Sequence, residues 1–199
     1  MQPQRRSVNK QRPRLGRKFL GFPLFLVVCL LLVHCMIPGT ATGQEGADEY
    51  ELKAAMLHNL MLFVQWPLSA YPDPQAPVHL CILGRDPFGA SLTSTVLKKS
   101  VNGRPVLILH PQNDQEARSC HVLYISSSER KATAQIYSSL DGSSALTVGE
   151  MTQFAAHGGM IQFSLEDQRV RFDINLDAAS RAGLKISSKL LVIARIVKD

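Results

Sequence analysis

Apolar residues recur at helical spacing over residues 48–63, where Leu52, Ala55, Met56, Leu60 and Phe63, with the polar Asn59 among them, fall on one face. The pattern predicts a first helix. Asp48, Glu49 and Glu51 favour its positive N-terminal end. Trp66-Pro67 stops it, because proline disfavours helical backbone in the residue before it. Pro72, Pro74 and Pro77 then mark residues 69–77 as an extended crossing.

Beyond that crossing, short apolar runs alternate with helical patterns. Val78 to Leu83 is almost wholly apolar, as expected of a strand covered on both faces. Gly84-Arg-Asp-Pro-Phe-Gly89 is a strand-to-helix turn, with Asp86 as expected N-cap and Pro87 at the first helical position. That helix is expected to reach about residue 98, and Asn102-Gly103 to form a turn. Further strands are predicted at 105–110, 120–125 and 145–148, with helices at 128–140 and 150–156. Alternating runs at 160–165 and 169–174, around Glu166-Asp167, predict a hairpin. Two closing helices are expected at 176–182 and 187–197.

Strands alternating with helices imply an α/β fold, a three-layer sandwich with a largely parallel sheet. The connections favour a flavodoxin- or Rossmann-like strand order. The hairpin gives that sheet an antiparallel C-terminal edge.

The first 43 residues are of different composition. Seven basic residues, with no acidic one, precede an apolar run from Phe19 to Ile37 and then Pro38-Gly-Thr-Ala-Thr-Gly43. Basic, apolar, then small is the order of a secretory signal. The alternative is an uncleaved anchor, since the run is long enough to span, and its basic side would stay in the cytoplasm. Cys35 makes a poor lipoprotein acceptor behind bulky His34. Residues 44–199 form the expected single domain. They hold 15 basic and 16 acidic residues, so the +6 of the whole chain reflects its leader. No basic stripe remains to track a nucleic acid.

Candidate chemistry is sparse. Cys81 and Cys120 are the cysteines left after residue 43. In an oxidising compartment such a pair suggests a disulfide. The alternatives are two buried thiols, or a metal site with His79 and His121. The turn from Gly84 to Gly89 lacks both the G-x-G-x-x-G spacing and the P-loop lysine. There is no G-x-S-x-G elbow and no H-E-x-x-H zinc motif. Catalytic residues, metal ligands and cofactor sites are therefore all assigned as none. Arg169, Arg171 and Asp173 alternate along one strand and share a face, either solvated or a polar binding face. Phe63 and Trp66 end the first helix, as core or as interface anchors. Lys185 lies in the link between the last two expected helices, where Ser187 or Ser188 supplies a cap.

One set of features occurs in a consistent order. Tyr50, Lys53-Ala-Ala55, Asn59, Phe63 and Trp66-Pro67 come first, followed by Cys81-Ile-Leu-Gly84, Asp86-Pro-Phe-Gly89 and Gly103-Arg104. Cys120-His-Val-Leu-Tyr-Ile125 and Leu146-Thr-Val148 are next, then Phe172, Ile174-Asn175, Ala182-Gly-Leu-Lys-Ile-Ser-Ser188, Leu190-Leu191 and Ala194-Arg195. In this the chain resembles the YfiR-like (DUF4154) family over about residues 48–197. The resemblance implies an exported, non-catalytic regulator of the periplasm. It would bind and repress an inner-membrane diguanylate cyclase, act as a homodimer, and carry a disulfide between the positions of Cys81 and Cys120. An alternative is a periplasmic small-ligand sensor acting on a histidine kinase or another membrane receptor. There are departures. No cysteine follows Cys120, so the second disulfide of some relatives has no counterpart. Met56, His58 and Leu60 stand where relatives usually carry aromatics, and Asp173 replaces a glutamate.

Overall fold

The computed structural model describes residues 42–97 and 99–198. The signal segment expected over residues 1–43 lies almost wholly outside them. Helix α1 spans Thr42–Phe63 and strand β1 Val64–Gln65, followed by a 3-10 turn at Leu68–Ala70. The chain continues as β2 (Val78–Leu83), α2 (Ala90–Val96), β3 (Ser100–Val101), β4 (Arg104–Leu109), α3 (Asp114–Ala117) and β5 (Val122–Ile125). A second 3-10 turn at Ser127–Glu129 leads to α4 (Thr133–Ser139), β6 (Leu146–Gly149), β7 (Ile161–Glu166) and β8 (Arg169–Asn175). The last elements are α5 (Leu176–Arg181), β9 (Lys185–Ile186), α6 (Ser188–Leu191) and β10 (Arg195–Val197).

The main sheet has eight strands in the order β10-β8-β7-β6-β5-β2-β4-β3. Its centre, from β4 to β7, is parallel. From β2 the chain goes out to β4 and returns to β5 on the other side of β2, which is the flavodoxin-like switch. Strand β8 folds back antiparallel on β7 and gives the expected hairpin. The hairpin turn places Asp167 and Gln168 at φ +49° and +59°, the left-handed pair whose twist suits a two-residue connection.

Alternation along the strands divides the interior in two. Val78, Leu80, Ile82, Val122, Tyr124, Leu146, Val148, Ile161, Phe163, Phe172 and Ile174 face α1, α2, α5 and α6. On the other side Cys81, Leu83, Leu123 and Ile125 meet Ala117, Ile136, Leu140, Met151 and Phe154. The second layer stops short of β8, whose Arg169 and Arg171 are open to solvent.

Local pattern misplaces several elements. Helix α1 buries Lys53, Ala54, Leu57, Leu60 and Met61, while Leu52 is 49% exposed and Asn59 faces solvent. This helix is apolar nearly all round, so spacing leaves its rotation ambiguous and the sheet selects it. The expected capping role of Asp86 is displaced. Its Oδ1 accepts from the amides of Phe88 at 2.7 Å and Gly89 at 3.3 Å, so it stabilises a turn, and α2 begins only at Ala90. The helix expected at 128–140 is divided between the second 3-10 turn and α4, and Cys120 and His121 precede β5. Residues 150–156 form turns in place of a helix, because Gln153 adopts φ +62° and cannot continue a right-handed helix. The last expected helix ends after one turn. Val192, Ile193, Ile196 and Val197 are β-branched and favour extended backbone, and β10 pairs in parallel with Asp173 to Asn175. The short strands β1, β3 and β9 have no counterpart in the pattern.

Candidate functional site

Strand β8 carries the polar face expected from alternation, and its three members differ in environment. Asp173 is buried, its side chain 9% exposed, whereas Arg169 and Arg171 are exposed. The cause is β10. Arg195 on that strand donates through Nε to Asp173 Oδ1 at 2.7 Å and through a terminal nitrogen to Oδ2 at 2.9 Å. This is the bidentate arginine–carboxylate geometry that holds both groups in register. The same terminal nitrogen lies 3.3 Å from Glu166. Asp173 is thereby satisfied within the chain, and Arg169 and Arg171 remain the pair available on this face.

Phe63, Trp66 and Lys185 meet at the far end of α1. The Phe63 carbonyl accepts from Ser187 N at 2.9 Å. Lys185 is opposite Gln65 in the two-stranded β1–β9 sheet and is exposed. Trp66 is turned inward. It is 9% exposed and its indole donates to the His121 carbonyl at 3.1 Å, so it acts as a packed strut here and presents no anchor to solvent. Ser187 caps α6 through its hydroxyl, which accepts from Lys189 N. By strand parity this group lies across the sheet from Arg169 and Arg171.

His121 is the centre of an aromatic stack below the sheet. Tyr71 lies parallel to it at 4.6 Å, Trp66 and His79 meet it edge-on, and Arg104 caps Tyr71 at 3.9 Å. Its Nδ1 accepts the His79 amide at 3.1 Å. Nε2 is buried beside the Ala70 backbone with no completed hydrogen bond. Burial, aided by neighbouring His79, lowers the imidazole pKa to about 4. The ring is therefore neutral at ordinary pH.

A buried ionic cluster joins α1 to the C-terminal ends of β5 and β6, and sequence pattern does not reveal it. Lys53 is 3% exposed. Its Nζ contacts Glu150 Oε2 at 2.6 Å and also pairs with Glu49. The ammonium lies 4.6 Å from the Tyr50 ring centre, and the Tyr50 hydroxyl donates to Glu150 Oε1 at 2.8 Å. Tyr124 directs its hydroxyl at the same carboxylate without the alignment of a full hydrogen bond. Burial alone would raise the Glu150 pKa. The hydrogen bonds from Lys53 and Tyr50 and the lysine charge outweigh it, and the carboxyl lies below its ordinary value. Burial first, then the Glu150 contact, pushes the Tyr50 phenol well above its ordinary range. The one signal in the sequence is a lysine inside an apolar helix.

Cys81 and Cys120 are joined in a disulfide, with their Cα atoms 5.9 Å apart. Both sulfurs are consumed, which leaves no thiolate for the alternative metal set with His79 and His121. Among the described residues no group of three or more His, Cys, Asp or Glu side chains is arranged to hold a metal ion. The crevice beyond β2 and β5, the natural ligand position in this topology, is filled. Ser128 Oγ accepts from Arg85 N at 3.0 Å and donates to Glu129 Oε1 at 2.8 Å. The Glu129 carboxylate makes the place unsuitable for an anion. Among the described residues no helix is long and apolar enough to cross a membrane.

The sequence model of the DUF4154 family, described as YfiR/HmsC-like, matches residues 50–195. A crystal structure of a conserved domain protein from Vibrio cholerae O1 biovar El Tor strain N16961 is similar in fold. The two chains share 11% identity and superpose with a TM-score of 0.50 over 75% of this chain. The match spans 60% of the length of that protein.

Proposed function

The chain belongs to the YfiR/HmsC-like family, and from that premise we propose that it is a periplasmic regulator. Its target is the periplasmic portion of an inner-membrane signalling protein, a diguanylate cyclase, whose output it represses. The family match over residues 50–195 carries this reading. The disulfide agrees with an oxidising compartment. Repression requires no chemistry in this chain. It requires tighter binding to the inactive receptor state than to the active one. About 5.5 kcal/mol of differential affinity is needed to move a receptor from almost wholly active to almost wholly inactive. Arg169 and Arg171, exposed side by side on β8, are the proposed contact for an acidic receptor segment. The protein acts as a homodimer in this reading.

The small-ligand sensor reading has less support. Its natural crevice is closed by Ser128 and Glu129.

The test is intracellular cyclic di-GMP in a deletion strain, with and without the gene restored. A rise reversed by the wild-type gene supports repression. An unchanged level under several envelope stresses, with crosslinking in cells recovering no cyclase, would overturn it.

A further inference from the structure

Two parts of the second layer do not close on each other. Helix α4 turns Ile136 and Leu140 into the interior and leaves Ala134 exposed and Tyr137 half-buried. After β6 the chain makes turns, with Gln153 at φ +62°, and lays no helix along α4. Between them is a hollow of about 480 Å³, within the roughly 300–1,000 Å³ usual for small-ligand sites. Met151 and Phe154, both buried, form its floor, with Ala134 and the Tyr137 ring beside them.

The rim of this hollow is cationic. Arg130 and Lys131, both exposed, stand where the second 3-10 turn leads into α4. Among the described residues neither side chain has an ion-pair or hydrogen-bond partner. No carboxylate lines the hollow. The two acids nearest in sequence are engaged elsewhere: Glu129 by the Ser128 hydroxyl, Glu150 by Lys53 and Tyr50. A concave site lined by one sign of charge concentrates the opposite sign. The hollow also continues. Tyr137 and His157 line a second one, of about 250 Å³, that reaches Leu140, Met160 and Ala178. Gly158 keeps the passage clear, since a Cβ there would lie 3.5 Å from the Tyr137 ring. The second hollow carries Asp141 and Arg181, whose charges offset each other. The two hollows together form a trough that is cationic at one end.

We infer that this trough binds a single-chain amphiphile with an anionic head, a carboxylate or a phosphate monoester. The head sits between Arg130 and Lys131, where charge-assisted hydrogen bonds favour an anion. The chain lies on Met151 and Phe154, and its end passes Tyr137 and His157 towards Met160. A flexible thioether adapts to an irregular apolar guest. An elongated hollow in two parts suits a chain better than a compact ring system. The site is distinct from the crevice closed by Ser128 and Glu129. Met151 directly follows Glu150, the partner of Lys53, so the ligand adjoins the cluster that holds α1. The inference does not depend on which receptor is bound.

The test is calorimetric titration of protein purified from the periplasm and washed free of lipid. The probes are octanoate, octyl phosphate and uncharged octanol, each below its micelle concentration. Saturable binding of octanoate or octyl phosphate is expected, and the tighter of the two identifies the head group. Octanol is expected to bind about tenfold more weakly or worse, for want of the charged hydrogen bonds. Hexanoate, two methylenes shorter than octanoate, is expected to be weaker by roughly ten- to twentyfold. Arg130→Gln with Lys131→Gln brings both anions down to the level of octanol. Both residues are exposed, so the fold is unaffected. Ala134→Trp fills the trough and abolishes binding of all three probes; should it fail to fold, the paired glutamine variant decides. Leu165→Gln, at a residue 52% exposed on the β7–β8 hairpin, leaves binding unchanged. No saturable binding of either anion, octanol as tight as the anions, undiminished affinity in the paired glutamine variant, or binding lost in Leu165→Gln would each overturn the inference.

Discussion

Replacing Lys53 with methionine tests the buried cluster most directly. The substitution keeps most of the apolar stem and removes the ammonium, with its charge and its hydrogen bond to Glu150. Wild-type Lys53 is 3% exposed, with Glu150 Oε2 at 2.6 Å. Without the ammonium, the carboxylate keeps its burial and loses its main counter-charge. Removing one member of a buried ion pair costs about 3–5 kcal/mol. In a domain of this size that corresponds to a melting temperature lower by roughly 6–20 °C. The pH dependence is more specific than the magnitude. In wild type the Glu150 pKa is depressed below its ordinary 4.5, so its stabilisation is present above that value and is lost as pH falls through the folded value. In Lys53→Met, burial prevails and the pKa is raised. Stability is then fullest below 4.5 and declines as pH rises through the folded value. Urea unfolding at pH 7 and at pH 4.5 therefore gives a deficit that shrinks by about 1 kcal/mol or more at the lower pH. Adding Glu150→Gln recovers part of the loss, because contacting residues couple by about 0.5–3 kcal/mol. A deficit under about 1 kcal/mol, one equal at both pH values, or strict additivity of the two changes would refute the reasoning.

Four further outcomes follow from the same structure. Cys81→Ser opens a crosslink with a sequence separation of 39 residues and is expected to lower stability by roughly 4 kcal/mol at most; a wild-type melting temperature unaffected by reductant would contradict it. His121→Gln is expected to flatten the loss of stability between pH 6.5 and about 4, because in wild type the unfolded chain takes up the proton first as pH falls and the folded imidazole resists it. Denaturant titrations across that range check the slope. Arg195→Met unpairs buried Asp173 and is expected to speed amide exchange at Ile196 and Val197, leaving β2 protected; unchanged exchange would show that backbone pairing alone holds β10. Gly159→Ala would place a Cβ against the Phe154 ring and 2.7 Å from the Phe154 carbonyl, and chemical denaturation should register a loss of about 1–3 kcal/mol.

The central strands were legible because their signal is local. Val78–Leu83 stands as predicted, being a run apolar but for His79 between a proline and a glycine turn. The β7–β8 hairpin was legible from strict alternation on either side of an acidic turn. In the candidate surface, the shared face of Arg169, Arg171 and Asp173 followed from the same two-residue period. What alternation does not contain is the identity of the neighbouring strand. Asp173 is buried because Arg195 reaches it from 22 residues further along the chain, in a segment whose local spacing is helical and whose pairing with β8 makes it a strand. Trp66 likewise sits at a helix end in the sequence, and only the approach of His121 turns it inward.

Composition and near-neighbour spacing suffice for the α/β class, the pair of cysteines and the parity of each strand, since each depends on residues only a few positions apart. Long-range packing sets the rest: the rotation of α1, the inward placement of Lys53 against Glu150, the filled crevice at the switch point, and the pairing of β10 with β8. Each of these depends on which surfaces meet. A helix that is apolar on most sides, or a strand that fits either of two neighbours, has several local solutions of similar free energy. Long-range burial and the need to satisfy charges and peptide groups choose among them.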